Sequence, residues 1–475
     1  MLVAFIVVCH LAGAASAVSA LMATRSAQGT VAWILALLLV PYLAVPAYWT
    51  IGSVRFEGYV SARRGGDSRL RRSLSGVAER ADPFRASLPE TRGGIQAVER
   101  LARMPVLTGN DTLLLVDGEA TFESIFQGIE EAERYVLAQF YTIRDDGLGT
   151  RFQEALIRKA REGVRVRLLY DWIGSHRLPD AWVERLREEG VEVAAFLSSR
   201  FMVRRRFRPR IQINFRNHRK IVVADGRVGW LGGLNVSDAY LGLDPEIGPW
   251  RDTHLRVRGP AALGLQLSFL EDWHWTTGQL PELDWEPTAS PDGDEPVLIL
   301  PSGPADPVES ASLMMHHAIH SARWRLWIAS PYFVPDEGLV AALKLAALRG
   351  VDVRILVPEK ADVPLVRLAK MAVVEPLVEV GVQVLQYTAG FLHTKAFVVD
   401  DRAAGVGTVN LDNRSFRLNF EITALLMDEG AVARVAAMFE EDFRRAEPLT
   451  LEELAARSIW SRAASRGAYL MAPLL

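Results

Sequence analysis

One eight-residue pattern occurs twice in this chain, and the repeat limits the possible folds more than any other feature. The two copies of His-x-Lys-x-x-x-x-Asp are His218, Lys220 and Asp225, and His393, Lys395 and Asp400. Each copy continues through six residues, a glycine, a small residue and an apolar residue to an asparagine, Asn235 or Asn410. Lysine is rare among the 54 basic residues, so chance does not explain lysines at two equivalent places. The pattern indicates a duplicated domain with half of one site in each copy.

Strand-like and helix-like segments alternate in the same order in both halves. Apolar, strand-like runs and helical patterns follow one another at Tyr135–Tyr141, Gly149–Glu162 and Val164–Tyr170, and again at Arg325–Phe333, Glu337–Arg349 and Val351–Val357. Such alternation is typical of an α/β fold with largely parallel sheets. We therefore expect two similar α/β domains.

Composition changes along the chain predict the domain borders. Seven prolines lie between Pro281 and Pro307, which is typical of a linker. We expect two transmembrane helices in 1–54, a juxtamembrane linker in 55–105, a first domain in 106–280, a linker in 281–307 and a second domain in 308–475.

The N-terminal segment is apolar enough to enter a bilayer. Residues 1–24 and 26–54 carry no charged side chain, and about 20 apolar residues suffice for one crossing. In the second stretch Val31–Trp49 is the better candidate, and its Pro41 and Pro46 predict kinks. A cleaved signal peptide is the alternative for the first stretch, because small residues lie at Ala14–Ala17, but no basic residue precedes the apolar run.

The flanking charges predict the orientation of these spans. Six arginines lie between Arg55 and Arg72, whereas the loop between the spans holds only Arg25. The excess of positive charge favours the cytoplasmic side. The sequence thus predicts a multi-pass membrane protein whose domains lie in the cytoplasm.

The repeated residues suit displacement at a phosphorus atom. The apolar runs 221–224 and 396–399 predict buried strands, and residues two apart on a strand share a face. Two facing half-sites would then bring two imidazoles and two ammonium groups to one phosphate. One neutral histidine can attack phosphorus, while the other, which is protonated, gives a proton to the leaving oxygen. The lysines, with Asn235 and Asn410, would stabilise the non-bridging oxygens. This layout requires no metal and no cofactor.

Four acids accompany the motifs. We expect Asp252, in WRDTH, and Glu421, in LNFE, to orient the imidazoles through Nδ1 and leave Nε2 free to react. A surface position is the alternative for both. Asp225 and Asp400 end their predicted strands, so we interpret them as holding local geometry through turn or ion-pair contacts.

The motifs resemble those of the phospholipase D superfamily, and the wider chain is similar to the bacterial membrane-bound cardiolipin synthases. The resemblance rests on Asn217-His218-Arg219-Lys220, Gly232-Gly233-Leu234-Asn235, Leu392-His393-Thr394-Lys395, Gly407-Thr408-Val409-Asn410 and Asn419-Phe420-Glu421. The segment Ser330–Pro335, the N-terminal spans and the terminal residues 472–475 resemble that family too. The resemblance implies two phospholipase D-like domains, each a mixed sheet flanked by helices, after two transmembrane helices.

The same resemblance implies transfer of a phosphatidyl group from one phosphatidylglycerol to another, with release of glycerol and formation of cardiolipin. It implies a catalytic set of His218, Lys220, Asp225, His393, Lys395 and Asp400. His218 would be the nucleophile and His393 the acid and then the base, although the two-fold pattern leaves the reverse assignment open. The partners would be anionic membrane phospholipids, in a bacterial cytoplasmic membrane. The alternatives are a phospholipase D-type hydrolase and a lipid-binding protein without activity.

Other charged features carry less weight. A net charge of −3 gives no signature of nucleic-acid binding, and two bilayer spans suit a nuclease poorly. Nine basic residues and no acid lie between Arg200 and Lys220, and we hypothesise that they attract anionic headgroups; a solvated loop is the alternative. His316, His317 and His320 have helical spacing, but without an acidic or cysteine partner a surface or packing role is favoured over a metal site.

Overall fold

The structure is a computed structural model, and it describes residues 1–22, 27–52, 76–88, 92–197, 214–245, 248–360 and 362–472. Its N-terminal part contains three apolar helices: α1 (Leu2–Met22), α2 (Ala27–Leu39) and α3 (Pro41–Ile51). Only α1 is by itself long enough to cross a membrane among the described helices. The second predicted span is divided at Val40, because a residue before proline disfavours the helical conformation.

Helix α1 packs closely against α2 and α3 through small side chains. The buried residues of α1 are Gly13, Ser16, Ala17 and Ala20. A Cβ at Gly13 would lie 2.2 Å from the carbonyl oxygen of Leu37, so glycine is required for this approach. The indole of Trp49 donates a hydrogen bond to Oγ of Ser16 at 2.9 Å. The three helices therefore form one apolar hairpin.

Two further helices lie in the segment predicted as a linker. They are α4 (Val77–Ala81) and α5 (Arg92–Ala102), with a 3-10 turn at Asp82–Phe84 between them. Val98 and Ala102 of α5 are buried in the core of the second half. Part of 55–105 thus belongs to the folded body, while the arginines from Arg55 to Arg72 lie outside the described residues.

The first half is a mixed sheet with helices on its faces. Its elements are β1 (Leu107–Val116), α6 (Asp117–Glu130), β2 (Tyr135–Phe140), α7 (Gly147–Arg161), β3 (Arg165–Asp171), α8 (Asp180–Glu188), β4 (Glu192–Phe196), β5 (Arg216–Asn217), β6 (Ile221–Ala224), β7 (Val228–Gly232), β8 (Trp250–Arg251), β9 (Thr253–Arg258) and α9 (Ala262–Thr277). The strand order is β4-β3-β2-β6-β7-β9-β1. Only β2, β3 and β4 are parallel to one another; the other neighbours are antiparallel.

The second half repeats this arrangement. Its elements are β10 (Glu295–Ser302), α10 (Ser310–Ser321), β11 (Arg325–Ala329), β12 (Phe333–Val334), α11 (Glu337–Leu348), β13 (Asp352–Pro358), α12 (Pro364–Val378), β14 (Gln383–Tyr387), β15 (Phe391–Leu392), β16 (Ala396–Val399), β17 (Ala403–Gly407), β18 (Leu411–Asp412), α13 (Asn413–Arg417), β19 (Asn419–Leu426), α14 (Glu429–Phe443), β20 (Ala446–Pro448), α15 (Leu451–Ala455) and α16 (Ile459–Tyr469). The order β14-β13-β11-β16-β17-β19-β10 matches the first half strand for strand. The duplication is confirmed; the expectation of largely parallel sheets is wrong, since each sheet is mixed.

Strand β10 joins the two sheets, although it lies inside the predicted linker 281–307. It pairs antiparallel with β1 on one side and with β19 on the other. The apolar run between Pro296 and Pro301 was not recognised as a strand, because proline is rare in central strands. The linker prediction is therefore wrong for residues 295–302, which belong to the second half.

The core lies between the two halves as well as within each. A large apolar cluster contains side chains from both sheets and from α9 and α14, among them Phe269, Trp273, Val435 and Phe439. Separate clusters fill the outer face of each sheet beneath its helices. The two halves therefore share one buried interface, and both motifs lie at it.

Candidate active site

Each motif histidine pairs with a strand of the opposite half. Strand β5 of the first half runs parallel to the start of β19, and the His218 amide donates to the carbonyl of Phe420 at 2.9 Å. Strand β15 of the second half runs parallel to β8, and the His393 amide donates to the carbonyl of Arg251 at 2.7 Å. These exchanged pairings bring each histidine beside the acid that follows the paired residues of the opposite strand.

The acids that face the histidines therefore come from the opposite halves. Nδ1 of His218 lies 2.9 and 3.0 Å from the two carboxylate oxygens of Glu421, and Nδ1 of His393 lies 2.7 Å from Asp252. Both carboxylates are fully buried. The Nδ1 contacts leave Nε2 of His218 available, as the sequence predicts, whereas Nε2 of His393 also lies 3.2 Å from Nζ of Lys395. The surface alternative is wrong for Asp252 and Glu421.

Burial in this environment favours the neutral form of both imidazoles. Burial lowers the pKa of His218 to about 4 and that of His393 to about 3, against the pull of the neighbouring carboxylates. Burial opposes ionisation of the acids, but the charge of Lys395 and the hydrogen bond from His393 outweigh it and lower the pKa of Asp252. The interactions with His218 and Lys220 do the same for the pKa of Glu421.

The two lysines occupy equivalent positions below the histidines. Nζ of Lys220 donates to the carbonyl of His218, and Nζ of Lys395 to the carbonyl of His393, each at 2.6 Å. Nζ of Lys395 also lies 3.0 and 3.2 Å from the ring nitrogens of His393. Burial lowers the pKa of Lys220 to about 7 and that of Lys395 to about 8. A bound anion would favour the ammonium forms.

A short chain of contacts connects the two imidazoles. The ring of Tyr141 lies 5.1 Å from that of His218. The next amide, that of Thr142, donates to Oδ1 of Asn235, and Nδ2 of Asn235 donates to the hydroxyl of Tyr240 at 2.5 Å. The ring of Tyr240 lies 6.1 Å from His393. Asn235 is predicted to bind phosphate, but both Oδ1 and Nδ2 of its side chain form hydrogen bonds within the protein.

The second asparagine differs. The Asn410 amide nitrogen of the backbone donates to Oγ of Ser415, while its side-chain Oδ1 is buried without a hydrogen-bond partner among the described residues. Since buried polar atoms are rarely left unpaired, Asn410 is the better placed of the two to contact a ligand.

The surroundings of the two histidines also differ. Four aromatic rings lie around His393: Trp250 at 4.9 Å, Phe391 at 5.9 Å, Tyr240 at 6.1 Å and Tyr332 at 6.3 Å between centroids. Around His218 the only ring contact recorded in the described part of the chain is that of Tyr141. The two half-sites therefore have similar backbone arrangements, but His393 has more aromatic neighbours than His218.

Asp225 and Asp400 end the strands that follow the motif lysines, and their place in the predicted catalytic set stays a prediction. Each follows the strand that begins after a motif lysine, about 15 Å further along at 3.3 Å per residue. Asp225 accepts the amides of residues 133–135, and Asp400 accepts those of residues 323–325. Both have positive φ, 54° and 52°. They hold the start of a neighbouring strand, in keeping with the interpretation as local geometry.

Two buried arginines lie beside the acids in the backbone pairings, and the sequence did not single them out. Arg219, between His218 and Lys220, is fully buried; it donates to the carbonyl of Glu421 at 3.0 Å and pairs with Asp272 at 2.8 Å. Arg251, whose carbonyl receives the His393 amide, pairs through two nitrogens with Asp442 of α14 and through a third with Asp117. Adjacency to a motif residue is the one signal that could have identified both.

Other predicted features take no part in this geometry. Of the basic stretch from Arg200 to Lys220, residues 200–213 lie outside the described residues. His316, His317 and His320 lie on α10, on the outer face of the second half. Across the described ranges no group of three metal-binding side chains is found.

The fold and this site define a class: a protein of the phospholipase D type, with two half-sites that meet at the interface of a duplicated domain. Comparison with known protein families supports this class. A family profile described as "Cardiolipin synthase, PLD-like domain" matches residues 125–253 and 315–443, and one described as the phospholipase D-nuclease N-terminal segment matches residues 3–53.

Curated relatives extend the match to the whole chain. It is 45% identical over 469 residues to cardiolipin synthase A of Pseudomonas putida, covering 98% of this chain and 96% of that one. It is 44% identical to the enzyme of the same name from Pseudomonas fluorescens, covering 98% and 97%. The chain therefore belongs to the cardiolipin synthase family, and it is an enzyme.

A solved structure supports the fold independently. The crystal structure of phosphatidylserine synthase from Haemophilus influenzae superimposes with a TM-score of 0.59 at 16% identity, covering 81% of this chain and 100% of that one. At this identity the likeness concerns the fold alone.

Proposed function

We propose that this enzyme transfers a phosphatidyl group from one phosphatidylglycerol to a second, releasing glycerol and forming cardiolipin through a phosphatidyl-histidine intermediate. The observation that carries the proposal is the reciprocal pairing of His218 with Glu421 and His393 with Asp252 at one domain interface. It provides a nucleophile and a proton donor in the same buried site. Membership in the cardiolipin synthase family supports the choice of lipids.

In the first step Nε2 of His218 attacks the phosphorus of the donor lipid. The pKa of His218, about 4, keeps the ring neutral and nucleophilic at neutral pH. Glu421 accepts a hydrogen bond from Nδ1–H of His218 and stabilises the positive charge that develops on the ring. The bond from phosphorus to the glycerol oxygen breaks, and His393 gives its proton to that oxygen. Glycerol leaves, and the phosphatidyl group remains on His218.

The substrate itself supplies the reason for His393 to be protonated. With both lysines charged, both carboxylates charged and both imidazoles neutral, the group carries no net charge. A phosphodiester brings one negative charge, and the site then favours one added proton. In the proposed complex Nε2 of His218 faces phosphorus, so this proton goes to His393. Asp252, 2.7 Å from Nδ1, stabilises the imidazolium of His393. Protonation is thus coupled to substrate binding.

The second step reverses the proton transfer. Neutral His393 takes the proton from a hydroxyl of the acceptor phosphatidylglycerol, whose oxygen attacks phosphorus. The bond between phosphorus and Nε2 of His218 breaks, its electron pair returns to the ring, and cardiolipin leaves. In both steps Lys220, Lys395 and Asn410 are placed to stabilise charge on the non-bridging oxygens.

We further propose that α1 and the α2–α3 pair cross a bacterial cytoplasmic membrane as a hairpin, with the catalytic halves on the cytoplasmic side. The apolar helices and the arginines that follow them in sequence support this topology. Labelling of Ser53→Cys in a Cys9→Ala background tests it. A membrane-impermeant maleimide should label the thiol in inverted vesicles and leave it unlabelled in right-side-out vesicles; the opposite result overturns the orientation.

The reaction is tested by supplying labelled phosphatidylglycerol vesicles to the purified enzyme. Cardiolipin and glycerol in equal amounts are the expected products. Phosphatidate alone would show a hydrolase instead, and the absence of turnover would contradict both. His218→Ala and His393→Ala should each abolish product.

A further inference from the structure

The duplicated fold allows the two histidines to be compared position by position. In the exchanged pairings, Phe391 of β15 lies opposite Trp250, and the equivalent pair in the other half-site is Arg216 opposite Asn419. The fifth residue after the motif asparagine is Tyr240 in the first half and Ser415 in the second. Positions that are aromatic around His393 are thus polar around His218. By the strand register Tyr332 corresponds to Thr142, and the ring that contacts His218, Tyr141, lies one residue earlier in the first half.

Three of the four rings around His393 contact one another, and we call the four rings together the aromatic wall. Trp250 lies 4.4 Å from Tyr240 and 4.8 Å from Phe391 between centroids, and Phe391 is stacked on the imidazole at 26°. Tyr332 meets the imidazole edge-on at 86°. Tyr240 and Trp250 belong to the first half, whereas Tyr332 and Phe391 belong to the second, so the wall is complete only when the halves are joined.

The polar atoms of this wall already have partners. The Tyr240 hydroxyl receives the Asn235 amide, the Tyr332 hydroxyl donates to Asp362 at 2.6 Å, and the indole of Trp250 faces Asp252 at 3.5 Å. The surface that these four rings offer to His393 is therefore mostly hydrocarbon, and the polar neighbours of the imidazole are Asp252 and Lys395. A water molecule is held stably in a buried place only by two to four polar partners.

We propose that Tyr240, Trp250, Tyr332 and Phe391 determine the acceptor of the second step by keeping water from the base, His393. This inference rests on the proposed function. A lipid hydroxyl is brought to His393 by the rest of its molecule, which binds elsewhere, whereas water depends on the local surface alone. The wall therefore disfavours attack by water on the phosphatidyl-histidine more than attack by a lipid. It acts on the ratio of the two products.

Hydrolysis of the phosphatidyl-histidine can be distinguished from transfer by an oxygen isotope. If water attacks, its oxygen bonds to phosphorus, the bond to Nε2 of His218 breaks, and His393 takes the proton. In water enriched in oxygen-18 the resulting phosphatidate carries one heavy oxygen from the solvent. Cardiolipin formed by transfer carries none. The ratio of labelled phosphatidate to cardiolipin is independent of how much enzyme is folded.

The test compares Trp250→Ala and Tyr332→Ala with the control Tyr141→Ala, which removes the ring that contacts His218 edge-on. Mass spectrometry of the lipids gives the ratio. We expect a severalfold rise in the ratio for the Trp250 and Tyr332 variants and no rise for the Tyr141 variant. Because Tyr332 is only half-buried, its variant is expected to fold even if the Trp250 variant does not.

The outcomes separate this inference from the proposed function. A native enzyme that makes cardiolipin, with the same ratio in all variants, overturns the role of the wall alone. An equal rise in the Tyr141 variant also overturns it, since any opening would then admit water. A native enzyme that makes only labelled phosphatidate overturns both the transfer reaction and the wall. Tyr332→Phe, which retains the ring, should keep the native ratio.

Discussion

Nδ1 of His393 lies 2.7 Å from the carboxylate of Asp252, a residue 141 positions earlier and in the other half of the molecule. Glu421 and His218 repeat the relationship in reverse, over 203 positions. Neither half holds a complete pair of histidine and acid from its own sequence. Assembly of the two halves is therefore a condition for chemistry, and the contacts that hold them become testable.

We expect removal of either orienting charge to reduce turnover without preventing lipid binding. Asp252→Asn and Glu421→Gln should each lower kcat by about 10²–10⁴-fold with a small change in KM, because the tautomer and the imidazolium lose their support. Steady-state cardiolipin synthesis checks this. Asp292→Asn, an exposed acid paired with Arg258, serves as the control and should behave as native. Full activity in Glu421→Gln would remove the orienting role.

The ion pair of Arg251 with Asp442 should be a major contributor to interdomain stability. Both side chains are buried, so Asp442→Leu alone leaves the guanidinium incompletely compensated and should cost about 3–5 kcal/mol. Thermal unfolding in detergent measures the loss. The double variant Arg251→Met/Asp442→Leu should recover part of it, since an apolar pair replaces a broken ion pair. A double variant that loses the sum of the single effects would contradict this coupling.

Asp225 and Asp400 should affect stability rather than chemistry. Replacement by alanine leaves three backbone amides without their acceptor and should cost about 2 kcal/mol or more. We expect the larger loss for Asp400→Ala, because Asp400 is 1% exposed. Asn variants should lose less, since asparagine accepts positive φ and retains an oxygen. Activity per folded molecule, from active-site titration, should stay near native; a loss beyond tenfold would place these acids in the catalytic set.

The histidines should titrate far below their ordinary range. With a pKa of about 4 and about 3, both rings stay neutral at pH 6, where an exposed histidine is largely protonated. Since the unfolded chain then binds more protons, the free energy of unfolding should fall as the pH drops from 6.5 towards 4. Nitrogen-15 spectra of labelled histidine report the ring state, and a non-hydrolysable phosphodiester should raise the pKa of His393. A ring already protonated at pH 6 in the free enzyme would contradict the coupling.

Local patterns predicted much of the fold. The strands β6 and β16 begin and end where the apolar runs after Lys220 and Lys395 do, and α11 differs from its predicted range by one residue. Strand β10 was not predicted, because Pro296 and Pro301 are typical of a linker. Its pairing with β1 and β19 also depends on residues far away in sequence. Short strands such as β5 and β8 leave no periodic signal at all.

The site was predictable in its members and less so in their arrangement. The repeat identifies the histidines, lysines and acids, but each acid follows the asparagine of its own half, which hides the exchange between halves. That exchange depends on β5 pairing with β19 and β15 with β8. Arg219 and Arg251 resemble surface charges in sequence, because only the folded interface buries them.

In the proposed mechanism both histidines act at one phosphorus. Rapid quenching at high pH of enzyme mixed with phosphatidylglycerol labelled at phosphorus, followed by peptide mapping, tests this directly. We predict a labelled peptide containing His218, absent in His218→Ala and formed more slowly in His393→Ala. A labelled peptide containing His393 would reverse the assignment of roles, and turnover with no label on either histidine would contradict the account.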